Sequence, residues 1–178
     1  MDQDIQIQII EPEVEADFHQ LLGSDDDLIE DPNLGTIYFS ITYDGKAEEL
    51  TICVKKITNL PSTDLQGTCS SFVVVSLFPD PQHKYSYQTE VQKANNDPIF
   101  NEVFRFSNIT SFDMERKSAI FLVQYTDKTT RNYVIGEVGV KLSKIGTRLS
   151  SPIGFILRKK PSKFFFSEIL KKLNKLIN

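Results

Sequence analysis

Residue types that commonly do chemistry are scarce and scattered in this 178-residue chain. Its two histidines are His19, in an acidic stretch, and His83, in a stretch of turn-forming residues; its two cysteines are Cys53 and Cys69. Neither cysteine has a second cysteine or a histidine at the spacing of a metal site. No Ser-His-Asp or Cys-His set is suggested, and the sequence contains no phosphate-binding glycine loop ending in Gly-Lys. We therefore expect a protein that is not an enzyme and that uses no cofactor.

Charge is distributed unevenly along the chain, although the net charge is only −4. Residues 1–34 contain eleven acidic residues and no lysine or arginine, whereas residues 144–178 contain nine basic residues and one acidic residue. We expect residues 1–34 to be a disordered tail, because they have too few large apolar side chains to offset the entropy cost of ordering. Such a tail is able to fold back on the basic end and compete there with an anionic partner.

The basic end has the pattern of an amphipathic helix that follows Pro161 and has Ser162 as its cap. The apolar side of this helix would consist of Phe166, Ile169, Leu170, Leu173, Leu176 and Ile177. The polar side would carry Glu168, Lys171, Lys172 and Lys175. This pattern is typical of a helix that lies on an anionic membrane, enters a groove of a partner protein, or docks on its own domain. These three alternatives stay open. The helix needs one of these contacts to be stable, because a helix of this length is marginal alone in water.

The sequence predicts neither a membrane span nor a signal peptide. No apolar run approaches the roughly 20 residues that a membrane span requires. The N-terminus lacks the basic start and apolar block of a signal peptide. We expect a cytoplasmic protein that can associate peripherally with membranes.

Between the two charged ends, short β-branched and aromatic segments alternate with turn residues, as is typical of an antiparallel β-sandwich. The first two predicted strands, residues 36–43 and 49–57, are separated by the hairpin signal Asp44-Gly45. Six further strands are predicted at residues 72–78, 85–91, 99–106, 119–125, 133–142 and 153–157. We predict an all-β, eight-stranded antiparallel sandwich over residues 35–158 with almost no helix. The tail 1–34 precedes it, and the basic amphipathic helix 159–178 follows it.

Six pieces of the predicted sandwich resemble the C2 domain family in the form that the synaptotagmins have. In chain order they are residues 35–43 (GTIYFSITY), 50–54 (LTICV), 59–67 (NLPSTDLQG), 77–80 (LFPD), 97–102 (DPIFNE) and 135–138 (IGEV). The resemblance covers residues 35–157 and implies a Greek-key β-sandwich. It also implies a calcium site between loops at one end of the sandwich, built in most such domains from five aspartates.

At the positions of those five aspartates the chain departs from the family pattern. Asp64 and Asp127 are present, but the other three positions carry Ser70, Tyr125 and Tyr133. Two carboxylates cannot supply the six to eight oxygen ligands and the charge that calcium requires. We therefore expect no metal site and an atypical, calcium-independent member of the family. The two remaining aspartates would then be ordinary turn residues.

Cations near the same loops offer a calcium-independent route to membranes. Lys128 and Arg131 balance the two aspartates, and each exposed cation contributes about 1 kcal/mol near an anionic lipid surface. In similar domains a strand carries a lysine run that binds phosphoinositides, but here Lys84 is its only fixed charge. Lys93 and Lys55 are the other candidates for that face, so we expect no specific inositide site.

The sequence therefore supports two hypotheses about function, one for a membrane-binding protein and one for a protein-binding scaffold. The leading one is a calcium-independent C2 module that acts as a peripheral membrane adaptor in vesicle trafficking or exocytosis. The residues predicted to contact lipid are Lys84, Lys128, Arg131, Phe166, Leu170, Leu173, Lys171, Lys172 and Lys175. The alternative is a soluble protein–protein scaffold without lipid binding. The expected partner is an anionic phospholipid membrane, bound weakly, or a trafficking protein; specific nucleic-acid binding is not expected, because the sandwich is nearly neutral.

Overall fold

Two antiparallel sheets pack face to face within the residues that the computed structural model describes, which are 32–62, 70–93, 95–127, 129–145 and 148–158. The first sheet contains β1 (Thr36–Asp44), β2 (Glu49–Thr58), β6 (Ile99–Ser107) and β9 (Arg148–Ile156). The second sheet contains β3 (Ser70–Phe78), β4 (Ser86–Gln88), β5 (Gln92–Lys93), β7 (Ser118–Thr126) and β8 (Asn132–Lys141). The strand orders are β6-β2-β1-β9 and β4-β3-β7-β8, and β5 pairs with β3. The predicted antiparallel β-sandwich is confirmed.

The hairpin of β1 and β2 follows from alternating side chains. In β1 every second residue is buried, and these residues are Ile37, Phe39 and Ile41. Large apolar side chains at alternate positions place one face of a strand against a core and leave the other face to water. The predicted turn is also present: the Asp44 Oδ1 accepts the backbone N–H groups of Lys46 at 2.9 Å and Ala47 at 3.1 Å.

Phe39 lies at the centre of the core and joins the two sheets. Its ring stacks on the ring of Phe121 in β7, with 3.8 Å between centroids, and on Phe155 in β9, with 5.0 Å between centroids. Phe39 and Phe121 are both 0% exposed. Since these rings come from both sheets, they hold the two layers in register.

The strand predicted at residues 85–91 is two short strands, β4 and β5, so the described residues contain nine strands instead of eight. Thr89, between them, still pairs with β3, because its N–H donates to the Val73 carbonyl at 2.9 Å. The next N–H, of Glu90, donates at 2.8 Å to the Glu102 Oε1 on β6. This side-chain acceptor takes the place of a ladder bond and interrupts the strand. The last strand is also longer than predicted, since β9 begins at Arg148.

One short helix accompanies the strands, in keeping with the prediction of almost no helix: the chain forms α1 (Ser111–Arg116) between β6 and β7. The helix begins with a reciprocal capping box: the Thr110 Oγ1 accepts the Asp113 N–H at 3.2 Å, and the Asp113 Oδ2 accepts the Thr110 N–H at 3.0 Å. Two 3-10 turns, Pro32–Leu34 and Leu142–Lys144, complete the described elements. Six residues are too few to show helical periodicity, but the capping-box spacing is visible in the sequence.

We expect Thr110→Ala to lower the free energy of unfolding by about 1 kcal/mol, because it removes the side-chain acceptor at the start of α1. Urea denaturation measures this loss as a lower midpoint with an unchanged slope. Thr110→Ser, which retains the hydroxyl, and Ser111→Ala, at an exposed position one residue further, are the matched controls. Equal losses in all three variants would contradict a capping role.

Two sequence predictions concern residues outside the described ranges: the acidic tail as far as residue 31 and the amphipathic segment 159–178. Pro32–Leu34, which belong to the predicted tail, form a 3-10 turn, and Leu34 packs against the core. At the other end, Leu157 is fully buried. Within the described ranges no helix is long and apolar enough to cross a membrane.

Candidate functional site

Three connections meet at one end of the sandwich, which we call the loop end: those between β2 and β3, between β5 and β6, and between β7 and β8. The first two lie side by side, because the Leu60 N–H donates to the Asn96 carbonyl at 2.9 Å and the Asn96 Nδ2 donates to the Ser62 Oγ at 3.2 Å. The third joins them through β3, whose first residue, Ser70, is paired with both Thr126 of β7 and Lys93 of β5.

Asp127 organises the connection between β7 and β8. Its Oδ1 accepts the Thr129 hydroxyl at 2.7 Å, the Thr129 N–H at 2.8 Å and the Arg131 N–H at 3.0 Å. The Thr129 hydroxyl, followed by the backbone donors of Arg131 and Thr129, holds the pKa of Asp127 below its ordinary value. The carboxylate therefore stabilises this loop at neutral pH and loses that effect as pH falls through its lowered pKa.

Tyr125 and Tyr133 face each other across the same two strands. They form a cross-strand pair, and their rings stack with 5.1 Å between centroids and 18° between planes. The adjacent pair is also closed by side chains, since the Thr126 Oγ1 donates to the Asn132 Oδ1 at 2.8 Å. The base of this loop is thus held by ring stacking, by one hydrogen bond between neutral side chains, and by the Tyr133 hydroxyl, which donates to the Asp127 carboxylate.

The described residues do not fit the calcium site that the resemblance implies. Ser70, Tyr125 and Tyr133 stand at three of the expected positions, and the Asp127 Oδ1 is already engaged by three donors within its own loop. Asp64 lies outside the described residues. Across the part of the chain that the structure describes, no three His, Cys, Asp or Glu side chains form a group able to hold a metal ion.

The cations predicted to contact lipid lie at opposite ends of the sandwich. Arg131 is exposed at the loop end. Lys93, which the sequence offered as a candidate for the face of Lys84, is exposed at the loop end too. Lys84 is exposed in the connection between β3 and β4. Nine residues of β3 separate the two ends, which corresponds to roughly 30 Å. Lys128 and the helix positions Phe166, Leu170, Lys171, Lys172, Leu173 and Lys175 are outside the described residues.

Sequence reasoning missed two residues that shape this end and the adjoining sheet. Asp97 fastens two connections together, because its Oδ1 accepts the Asn59 N–H at 2.9 Å; the Asn95-Asn-Asp-Pro98 turn signal could have indicated it. Glu137, in the middle of β8, is only 2% exposed. Its position between two glycines of a predicted strand is visible in the sequence, but the depth of a side chain depends on what covers the sheet.

This architecture and the end with three loops define a class of protein. A model of the C2 domain family matches residues 48–155, more than half of the chain. The chain belongs to the C2 domain family.

Individual relatives narrow the type to that of the synaptotagmins. Synaptotagmin-7 of Mus musculus is 36% identical over 113 residues, which are 64% of this chain and 28% of that protein. Synaptotagmin-2 of Mus musculus is 34% identical over 121 residues, 68% of this chain and 28% of that protein. The match therefore spans little more than a quarter of the length of these relatives.

Solved structures at lower identity have the same fold. A C2 domain of RIM from Drosophila superposes with a TM-score of 0.63 at 21% identity, covering 71% of this chain and 99% of that chain. The third C2 domain of the KIAA1228 protein superposes with a TM-score of 0.62 at 20% identity, covering 75% of this chain and 94% of that chain.

Proposed function

We propose that this protein is a calcium-independent, non-enzymatic C2 module that binds anionic membranes weakly through its loop end and serves as a cytoplasmic trafficking adaptor. The module comprises residues 35–158 and the 3-10 turn at Pro32–Leu34 before them, with an acidic tail at 1–31 and a basic amphipathic segment at 159–178. Membership of a family with synaptotagmin-like relatives supports a role at membranes. The observation that carries the calcium independence is the stacked pair of Tyr125 and Tyr133 at two of the expected carboxylate positions.

The charge of the loop end explains why the proposed binding needs no calcium. Its acidic and basic residues nearly balance, so anionic lipid does not repel it even without a bound cation. The connection between β7 and β8 contains one acidic residue, Asp127, and two basic residues, Lys128 and Arg131. Lys93 adds a further exposed cation beside Ser70. In a site with five carboxylates the negative charge must first be neutralised by calcium, whereas here the loops are close to neutral from the start.

The separation of the two ends decides which surface meets the membrane in this proposal. Lys84 and Arg131 lie at opposite ends of β3, so a membrane that meets the loop end, across the ends of the strands, does not reach Lys84. The loop end is favoured because Lys93 and Arg131 are exposed there and Lys128 belongs by sequence to the same connection as Arg131. Lys84 would then face away from the lipid.

We expect the protein to co-sediment with phosphatidylserine–phosphatidylcholine vesicles at low salt to the same extent in calcium and in chelator. Raising ionic strength should release it, because the Debye length falls from about 10 Å at 0.1 M to about 3 Å at 1 M. Arg131→Gln together with Lys93→Gln should weaken binding on the order of tenfold or more, since each cation contributes about 1 kcal/mol. Binding is measured as the pelleted fraction against lipid concentration.

Lys46→Gln together with Lys84→Gln, at the opposite end of the sandwich, is the matched control and should leave binding unchanged. If this control loses more vesicle binding than the loop-end variant does, the end of the sandwich that carries Lys84 faces the membrane instead. Binding that requires calcium would overturn the calcium independence, and failure to bind vesicles at low salt would overturn the membrane function.

A protein–protein scaffold is the second candidate, and one observation favours it. Ile99 is 60% exposed and Val103 is 52% exposed on β6, which lies at the edge of the first sheet. Exposed apolar side chains along an edge strand are the feature that a partner strand or an apolar partner surface would cover. An absence of vesicle binding at low salt would make this edge the surface to test by substituting Ile99 and Val103.

A further inference from the structure

Burial differs sharply between the two sheets. Along β1 and β2, buried and partly exposed residues alternate as expected for a strand with one face in water. Along β3, by contrast, every residue from Ser71 to Leu77 is buried, and along β7 every residue from Ser118 to Gln124 is buried. Continuous burial of this kind belongs to strands that are covered on both faces.

One face of β3 and β7 packs on the central core, and the other points away from it. We call this second face the outer face; its residues are Phe72, Val74 and Ser76 of β3, Ile120, Leu122 and Gln124 of β7, and Glu137 of β8. The cross-strand pair Val74 and Leu122 lies at its centre, with Glu137 opposite Leu122.

The outer face is apolar and almost inaccessible to water. Phe72, Val74 and Ile120 are each 1% exposed, and Leu122 is 2% exposed. Phe72, Val74 and Leu122 form an apolar cluster separate from the core, and Val134 of β8 is the partly buried apolar residue that the described structure packs against it. Since the described side chains of this cluster all belong to the sheet itself, the cover over them must come from another part of the chain.

We propose that the outer face is the docking surface for the C-terminal segment 159–178, which lies on it as an amphipathic helix with its apolar side against the sheet. This inference goes beyond the proposed function, because it concerns a contact within the chain and needs no lipid. It selects one of the three alternatives that the sequence leaves open for the segment.

The path of the chain supports this occupant. Arg158 exchanges two backbone hydrogen bonds with Glu137, at 3.2 Å and 3.1 Å, and is only 4% exposed. The last described residue, Arg158, therefore lies beside β8, at the margin of the outer face. The apolar positions from Phe166 to Ile177 would extend about 17 Å as a helix, enough to cross four strands that span about 14 Å.

Charge distinguishes the C-terminal segment from the N-terminal one. Both enter the sandwich near the same place, because the Leu157 N–H donates to the Gly35 carbonyl at 3.0 Å. The buried charges at this face are Glu137 and, opposite it across the bridge, Arg158, so the face holds one charge of each sign and an occupant must not bring many further carboxylates to it. Residues 159–178 carry six basic residues and one acidic residue, whereas residues 1–31 carry eleven acidic residues and no lysine or arginine.

The docked arrangement leaves the basic side of the helix accessible. With the apolar side on the sheet, Lys171, Lys172 and Lys175 would point to solvent. They could then add electrostatic attraction to an anionic surface, but the apolar side chains could not enter the lipid unless the helix left the sheet.

A tryptophan placed on the outer face tests the docking directly, because the chain contains no tryptophan of its own. In the full chain carrying Phe72→Trp, we expect fluorescence emission typical of an apolar environment and weak quenching by acrylamide. Adding Leu170→Glu and Leu173→Glu should shift the emission to longer wavelength, increase quenching and lower the melting temperature by about 5 °C or more. The matched control, Lys171→Gln with Lys172→Gln and Lys175→Gln, should change none of these.

Retention of emission, quenching and melting temperature in the Leu170→Glu and Leu173→Glu variant would overturn the proposal. So would an equal emission shift produced by Ile5→Glu, Ile7→Glu and Ile9→Glu, which would assign the face to the N-terminal segment. Fluorescence emission that changes with protein concentration would also overturn the proposal, because it would show that a second copy of the chain covers the outer face. If the double Glu variant does not fold, the single changes Leu170→Ala and Leu173→Ala provide the same readout, with a smaller shift expected and an absent shift contradicting the docking.

Discussion

Replacing Phe39 by alanine is expected to lower the free energy of unfolding by about 3–5 kcal/mol, the range for a buried phenylalanine reduced to alanine. The loss is placed at the high end because Phe39 is 0% exposed and stacks on Phe121 and Phe155 at the same time. Each aromatic pair adds about 0.5–1.5 kcal/mol beyond the buried area. Thermal and urea denaturation should both show the loss, with a fall of roughly 6–20 °C in the melting temperature.

The matched control for this variant is Phe112→Ala, which makes the same chemical change on the surface. Phe112 is 60% exposed in α1 and lies under the Arg116 guanidinium, 4.3 Å from the ring centroid. Loss of that exposed contact should cost about 0.5–1 kcal/mol at most. Comparable destabilisation by the two variants would mean that the three stacked rings do not join the sheets as described.

The second large effect is expected from restoring carboxylates at the loop end. Ser70→Asp, Tyr125→Asp and Tyr133→Asp together should lower the melting temperature by several degrees in chelator. Three new negative charges would be close to Asp127, and the Tyr125–Tyr133 stack, which contributes about 0.5–1.5 kcal/mol, would be lost. Calcium should reverse the loss, because a ligand at about 100 times its Kd stabilises the native state by about 2.7 kcal/mol.

The unmodified protein should show no change of melting temperature with millimolar calcium in the same experiment. A triple variant with aspartates at three exposed positions at the opposite end of the sandwich, Gln82→Asp, Asn108→Asp and Ser143→Asp, controls for net charge and should not respond to calcium. Thermal stabilisation of the unmodified protein by calcium would contradict the proposed calcium independence. Indifference of the loop-end triple variant to calcium would show that Ser70, Tyr125 and Tyr133 do not occupy the carboxylate positions.

The fold could be predicted from the sequence because its main signals are local. Alternation in β1 and β2 requires only that neighbouring residues point to opposite faces, and the turn after β1 requires only the side chain of Asp44. The missed elements have identifiable reasons. Six residues give α1 no visible period, and the break between β4 and β5 depends on Glu102, a side chain of the other sheet.

The candidate site could be predicted only as a set of residue types. That tyrosines and a serine stand in place of carboxylates is a property of residue identity alone, and so is the excess of basic residues after residue 144. The stacking of Tyr125 on Tyr133 needs the register of two strands, and the engagement of the Asp127 carboxylate needs the path of the loop that follows it.

Only the tertiary structure decided which residues lie at the same end of the sandwich and which faces of its sheets are covered. Lys84 and Arg131 belong to one predicted lipid-binding set, yet β3 holds them at opposite ends of the sandwich. The continuous burial of β3 and β7 likewise cannot be deduced from their own residues, since an apolar strand is compatible with one covered face or two. Residue types and periodicity specify which faces avoid water, whereas the surface that covers each face is selected by contacts between segments far apart in the chain.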